Sequence, residues 1–217
     1  MLGDTDTHKY LERKLCGQWS SRTSVELSHR VQIARMRFHK HRDIVLDKHL
    51  SLCLRLKFFQ TVITPTVMFG LSSLPLTAKQ VEMLDILQRK MLRRIVGWTR
   101  HAAEPWRETM LRMQSKIERA MRLHPVSDWS SQLHRLQFRM VCRLGSQVDG
   151  WPLRVSQWHP PSTDSSAYRQ RGRPPLRWDD RLNLFVSSTF GLNSWTEACA
   201  TLDFPQHEDA YVQFQVC

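Results

Sequence analysis

Apolar residues recur at spacings of three and four along most of the chain, the period of an α-helix that buries one face. The clearest run lies between Leu76 and Trp98, where Val81, Leu84, Leu87, Met91 and Ile95 share a stripe. Thr77 and Gln80 have the T-x-x-Q spacing of a capping box, and Gly97 is suited to end the helix. A second run, from Ser24 to Asp47, places Leu27, Val31, Ala34, Phe38 and Val45 on one stripe, with Arg30, Arg35, Arg37, Lys40 and Arg42 mostly off it. Leu52, Leu56, Phe59, Val62 and Ile63 predict a third helix that should kink or stop near Pro65, which lacks an amide donor and clashes with the preceding turn. Beyond Gly97, Pro105 is placed for a first turn, and Trp106, Met110, Met113, Ile117, Ala120 and Met121 continue a helical stripe. Asp128 is a candidate cap for a further helix in which Trp129, Leu133, Leu136, Met140 and Leu144 share a face before Gly145 closes it.

The pattern breaks between Trp151 and Pro175, a stretch with five prolines and little periodicity. Its start is expected to be ordered by Trp151 and Trp158, and residues 162 to 166 to be exposed and mobile. Asp179 and Asp180 then suit the cap of a helix from Arg181 to about Thr189, with Leu182, Phe185 and Val186 inward, while Phe204 and Tyr211 are scattered in an acidic tail. The expected fold is mainly α. A basic helical bundle over 1–98 and a helical hairpin over 99–150 are followed by a Pro-rich basic linker over 151–177 and an acidic C-terminal region over 178–217.

Charge sharpens this picture, since 32 Lys and Arg against 20 Asp and Glu give +12. Such an excess favours a polyanionic partner, nucleic acid before membrane. Residues 20–60 carry nine basic and three acidic side chains, residues 77–100 six and two, and residues 182–217 four acids with no Lys or Arg. Basic surface therefore belongs to the first half. The candidate phosphate-contacting residues are Arg35, Arg37, Arg42, Lys79, Arg89, Lys90, Arg93 and Arg94. Arg171-Gly172-Arg173-Pro174 resembles the core of an AT-hook, which adds Arg171 and Arg173 as minor-groove candidates.

Catalytic chemistry has little to stand on. His39 and His41 are two apart, so a helix points them in different directions, and the adjacent Asp179 and Asp180 suit capping better than joint metal binding. There is no G-x-S-x-G, P-loop or H-E-x-x-H, and the five cysteines form no C-x-x-C pair. No cofactor is expected. Isolated cysteines, a polar N-terminus without a secretory signal and the lack of a long apolar run predict a reduced intracellular protein, nuclear or cytoplasmic.

Three segments together resemble the region that follows the polymerase palm in reverse transcriptases of non-LTR, LINE-like retrotransposons. Lys9-Tyr10-Leu11 resembles that family's K-Y-L-G segment, with Glu12 in place of the glycine. Leu56-Lys57 through Ile63, Pro65 and Phe69-Gly70, then Leu76-Thr77, Leu84, Gln88 and Arg89 to Gly97, are similar to its K-x-x-x-x-V-I-x-P-x-x-x-Y-G and L-x-x-x-Q-R-x-x-L-R-x-I-x-G pattern. Phe69 replaces the usual tyrosine, and Leu74 stands where tryptophan is common. Gly172-Arg173-Pro174 with Arg177-Trp178-Asp179-Asp180 is similar to the G-R-P-x-x-R-W-x-D signature. Order and spacing agree from about Lys9 to Trp195.

This resemblance implies a helical thumb that cradles a template-primer duplex, followed by a helical C-terminal region. It carries over no catalytic residue, because the family's metal-binding aspartates lie in a palm that this sequence lacks, along with the F/Y-A-D-D motif. The expected function is a non-catalytic remnant that binds DNA or an RNA–DNA duplex through its backbone. A helical interaction domain without a nucleic-acid role is one alternative, and a fragment active only with a palm in trans is another.

Overall fold

The computed structural model describes residues 7–16, 21–146, 150–157 and 178–216. The chain is mainly α. It divides into two compact units, Met1–Leu133 and His134–Cys217. The sequence pattern places its divisions at 98, 150 and 177 instead, whereas the boundary between units falls inside one helix, Trp129–Gly145. The Pro-rich residues 162–166, Trp158, and both arginines of the Arg171–Pro174 segment lie outside the described residues.

The first unit opens with a hairpin that the hydrophobic pattern does not reveal. Strands β1 (Thr7–Tyr10) and β2 (Arg13–Cys16) pair antiparallel, with Tyr10 opposite Arg13 and Thr7 opposite Cys16. Leu11 and Glu12 make the turn at φ of 46° and 64°. Tight hairpins demand such angles of both central residues, which is why glycine is favoured there.

Helix α1 (Arg22–Lys40) buries Leu27, Ala34 and Phe38, as its stripe predicts. The expected single helix to Asp47 is interrupted at His41 and resumes as α2 (Arg42–Val45). Arg30 is also not a surface residue. It is buried, and its Nε donates to Glu26 Oε1 at 2.7 Å, while its Nη2 donates to the carbonyl of Glu12 in the hairpin turn. The same guanidinium lies 4.8 Å above the Phe69 ring. Arg13 of the hairpin reaches Ser73 Oγ at 3.3 Å and lies against Gly70, whose φ is +72°. A paired, hydrogen-bonded guanidinium is the form in which a charge tolerates burial. Arg30 and Arg13 thereby join segments sixty residues apart.

The helix does not stop at Pro65 but continues to Met68. Between α3 (Leu52–Phe58) and α4 (Thr64–Met68), residues Phe59–Ile63 form a π-helical turn in which the amide of Thr64 donates to the carbonyl of Phe59, five residues back. The wider turn accommodates the proline ring, and Thr66 Oγ1 donates to the Val62 carbonyl at 2.9 Å.

Helix α5 (Ala78–Val96) matches its predicted boundaries. The capping box between Thr77 and Gln80 is complete, and Gly97 follows at φ +87°. All five stripe residues are buried, together with Gln88 and Leu92. Its C-terminal carbonyls need donors, and Arg55 Nη1 supplies one to Ile95 at 2.7 Å.

Helix α6 (Trp106–Leu123) buries Met113, Ile117 and Ala120, but Trp106, expected on the same stripe, is 59% exposed. Helix α7 (Trp129–Gly145) is anchored from other helices more than from Asp128. The Trp129 amide donates to Gln88 Oε1 and the Ser130 amide to Asp85 Oδ1, each at 2.9 Å. Trp129 stacks on Phe59 with centroids 5.9 Å apart, and its Nε1 donates to Thr64 Oγ1 at 3.0 Å. Past Leu133 the buried positions of α7 are His134, Gln137, Phe138 and Val141, not Leu136, which is exposed, nor Met140, which is half-buried. Buried residues at 133, 137 and 141 advance by four each turn, while the predicted stripe steps by three from 133 to 136 and leaves the face.

In the second unit, Phe138 and Val141 pack with Leu182, Phe185 and Val186 of α9 (Asp180–Phe190) and with Trp195, Phe204 and Tyr211. Phe204 and Tyr211 are thus core residues. Asp179 sits at the N-cap position of α9 but makes no side-chain cap; its Oδ2 accepts from Trp195 Nε1 at 3.2 Å. Helices α10 (Trp195–Thr201) and α11 (Glu208–Val216) complete the core. The short α8 (Trp151–Gln157) leaves Trp151 exposed rather than anchoring the segment.

Candidate nucleic-acid interface

The first unit contains 23 Lys and Arg against 12 Asp and Glu, net +11; the second contains nine against eight. Several of these cations are already committed to the fold. Arg30 holds the hairpin turn, Arg55 caps α5, and Arg112 grips Glu104 through Nε at 2.8 Å and Nη2 at 2.7 Å. In the second unit Arg135 and Arg139 both bond Glu208.

The candidate residues differ. Among the described residues, Arg35, Arg37, Lys79, Arg89, Lys90, Arg93 and Arg94 have no carboxylate within 4.0 Å. All are exposed except Arg93, which is half-buried. Arg42 is exposed beside Asp43, with Nε 3.4 Å from Oδ1.

Helix geometry decides which of these side chains act together. On α5, Arg89 and Arg93 are four apart and share one flank, whereas Arg94 turns to the other and lies 5.2 Å above the Phe38 ring of α1. Lys79, Met83, Ile86 and Lys90 run between them along the outward face, with Met83 and Ile86 exposed. Arg35 and Arg37 are two apart on α1, hence about 200° around the axis, and do not face one groove together.

Arg89 and Arg93 open onto a cleft of about 370 Å³ between α5 and α6. Arg122 adds a third guanidinium, while Ile117, Met121 and Val126 supply apolar surface and Glu118 and Asp128 carboxylates. Burial, and then the neighbouring Asp85, raise the Asp128 carboxyl above its usual pKa, opposed by Arg89. Periodicity does not point to Arg122 and Asp128, because only the crossing of two helices brings them to Arg89.

Gln88 and Arg89 are adjacent in the Q-R pair of the resemblance but play opposite parts. Gln88 is wholly buried and donates through Nε2 to the Ser127 carbonyl at 2.9 Å, while Arg89 points to solvent. Among the described residues no group of three or more His, Cys, Asp or Glu side chains is placed to hold a metal ion. No described helix is long and apolar enough to cross a membrane.

Trp98, just past α5, and Trp106, the first residue of α6, lie together at the surface, with centroids 5.7 Å apart, and Arg100 lies 6.0 Å from the Trp106 ring centroid. The stripe assigns Trp106 to the core, and its position beside Trp98 follows only from the path of the loop. Comparison of the chain with protein-family models, characterised proteins and solved structures finds no match.

Proposed function

We propose that the chain is a non-catalytic, thumb-like helical module derived from a non-LTR reverse transcriptase, and that its first unit binds DNA or RNA–DNA duplex through the sugar-phosphate backbone. The observation that carries this is the set of seven exposed or half-exposed cations that have no carboxylate within 4.0 Å among the described residues, on a unit of net charge +11. A folded protein that needed charge only for solubility would lose little by pairing such side chains, as it does at Arg135 and Arg139. Arrays of unpaired Arg and Lys are what phosphate neutralisation and counterion release require. No polymerase chemistry is assigned, because the family's metal-binding aspartates belong to the palm.

One observation favours a second role alongside this one. Tyr10, Leu11, Leu15 and Phe69 are all exposed around the hairpin, an apolar surface suited to a protein partner such as a palm supplied in trans.

The test is salt-dependent binding of a fluorescein-labelled 20-base-pair duplex and the matching RNA–DNA hybrid, followed by anisotropy. Engagement of about four to six phosphates gives a log-log slope of about −4 to −5. Changing Arg89 and Arg93 to Ala flattens that slope by about 2 and weakens binding on every sequence, since backbone contacts do not distinguish bases. Changing Arg135 and Arg139 to Ala removes the same charge and leaves both quantities unchanged. Equal effects from the two pairs, or none from either, would replace nucleic-acid binding with the interaction-domain function.

A further inference from the structure

At the junction of α5 and α6, Trp98 in the loop and Trp106 at the start of α6 are exposed aromatic side chains that the core does not use. Trp98 is 39% and Trp106 59% exposed, and the two indole planes meet at 46°. An indole is among the most costly groups to leave in water, and two placed side by side mark a contact surface.

The loop that presents them is held from below. Arg112 grips Glu104 in a bidentate pair and donates through Nη2 to the Thr99 carbonyl at 2.7 Å. Thr109 Oγ1 donates to Glu104 Oε2 at 2.8 Å, and Lys116 Nζ to the Gly97 carbonyl at 3.5 Å. The indoles are therefore presented by a braced loop. Around them positive charge predominates: among the described residues Arg100 and Arg107 are exposed with no carboxylate within 4.0 Å, Arg93 and Arg94 lie in the turn of α5 just before Gly97, and the exposed Glu108 is the opposing charge in the first turn of α6.

Exposed rings interleaved with unpaired cations suit a ligand that has flat apolar faces and negative charge at close spacing. A duplex hides its base faces in its own stack, whereas a single strand offers them beside its phosphates. We infer that Trp98 and Trp106 form a stacking platform for the unpaired bases of a single-stranded nucleic acid, with Arg100 and Arg107 on the adjoining phosphates. Centroids 5.7 Å apart leave no room for a base between the two rings, so bases stack on their outer faces. This rests on the backbone-binding function above and extends it to a strand that leaves a duplex.

The test compares a labelled deoxythymidine 20-mer with a 20-base-pair duplex, on the whole chain and at one salt concentration. Trp106→Leu keeps apolar bulk but has no π face. It is expected to weaken binding of the single strand about tenfold, from the usual worth of one base–aromatic stack, and of the duplex less than twofold. Trp106→Phe should retain most of the single-strand affinity, which simple loss of hydrophobic surface would not predict. In the native chain the 20-mer should quench indole emission, and Trp98→Leu with Trp106→Leu should remove that part of the signal. Equal losses on both probes, no loss on either, indistinguishable Leu and Phe variants, or absent quenching would each overturn the platform. If the duplex still binds with its salt slope while the platform fails, the backbone function stands; if the native chain binds neither probe, both fall.

Discussion

Gln88 ties α5 to the start of α7, and its removal should be felt far more than that of its neighbour Arg89. Its side chain is fully buried, donates to the Ser127 carbonyl and accepts from the Trp129 amide, each at 2.9 Å. Gln88→Met keeps length and much of the volume but leaves the Trp129 amide without its acceptor in a dry interior, while the Ser127 carbonyl keeps a donor in Gln132 Nε2 at 3.0 Å. One unpaired buried backbone amide costs about 1–3 kcal/mol, and the substitution should cost about that much, with Ser130 still held by Asp85 at 2.9 Å. At a urea m-value of about 2 kcal/mol per molar, the midpoint for the first unit falls by about 0.5–1.5 M. Far-UV ellipticity gives that midpoint, and hydrogen exchange of the peptide covering 78–96 should lose protection by a matching factor. A loss below about 1 kcal/mol, or unchanged exchange in α5, would mean that water or another side chain satisfies the Trp129 amide and would refute the reasoning.

Two further outcomes follow from local chemistry. Glu12→Gly should raise the melting temperature of the first unit, because φ at position 12 is 64°, in the left-handed region that glycine enters freely and glutamate does not. The lost Lys9–Glu12 pair is exposed on both sides and offsets little, so a lower melting temperature would contradict the account of the turn. Hydrogen bonding from Arg112 holds the Glu104 carboxyl down at about 2, below its ordinary value of 4.5. A depressed carboxylate contributes stability above its unfolded pKa that is lost as pH falls through the folded one. Glu104→Gln should therefore flatten the acid stability profile between about pH 4.5 and 2, and an unchanged profile would show that the pair does not hold the loop.

How far the sequence reaches differs from element to element. For α5, capping box, apolar stripe and terminal Gly97 agree in a local code, and the helix matches residue for residue. Local codes fail where the deciding atom comes from far along the chain. The hairpin has charged and apolar residues on both faces and a turn without glycine, so no period of two marks it; Arg30 and Glu26 of α1 hold it from outside, and its own Arg13 reaches out to Ser73. Arg30 looks like one more surface arginine of α1 until Glu26, the hairpin turn and Phe69 close around it. Pro65 signals a kink or a helix end by its own chemistry, but a π turn lets the helix continue to Met68. The same division runs through the candidate interface. Composition and spacing determine that the first half is basic and that Arg89, Lys90, Arg93 and Arg94 leave the buried stripe, because helical periodicity fixes which side chains cannot be inside. Tertiary structure alone decides which of those cations are free. Whether a guanidinium meets a carboxylate, a carbonyl or only water depends on the neighbour that folding brings, as Arg55 and Arg112 show against Arg89 and Arg93.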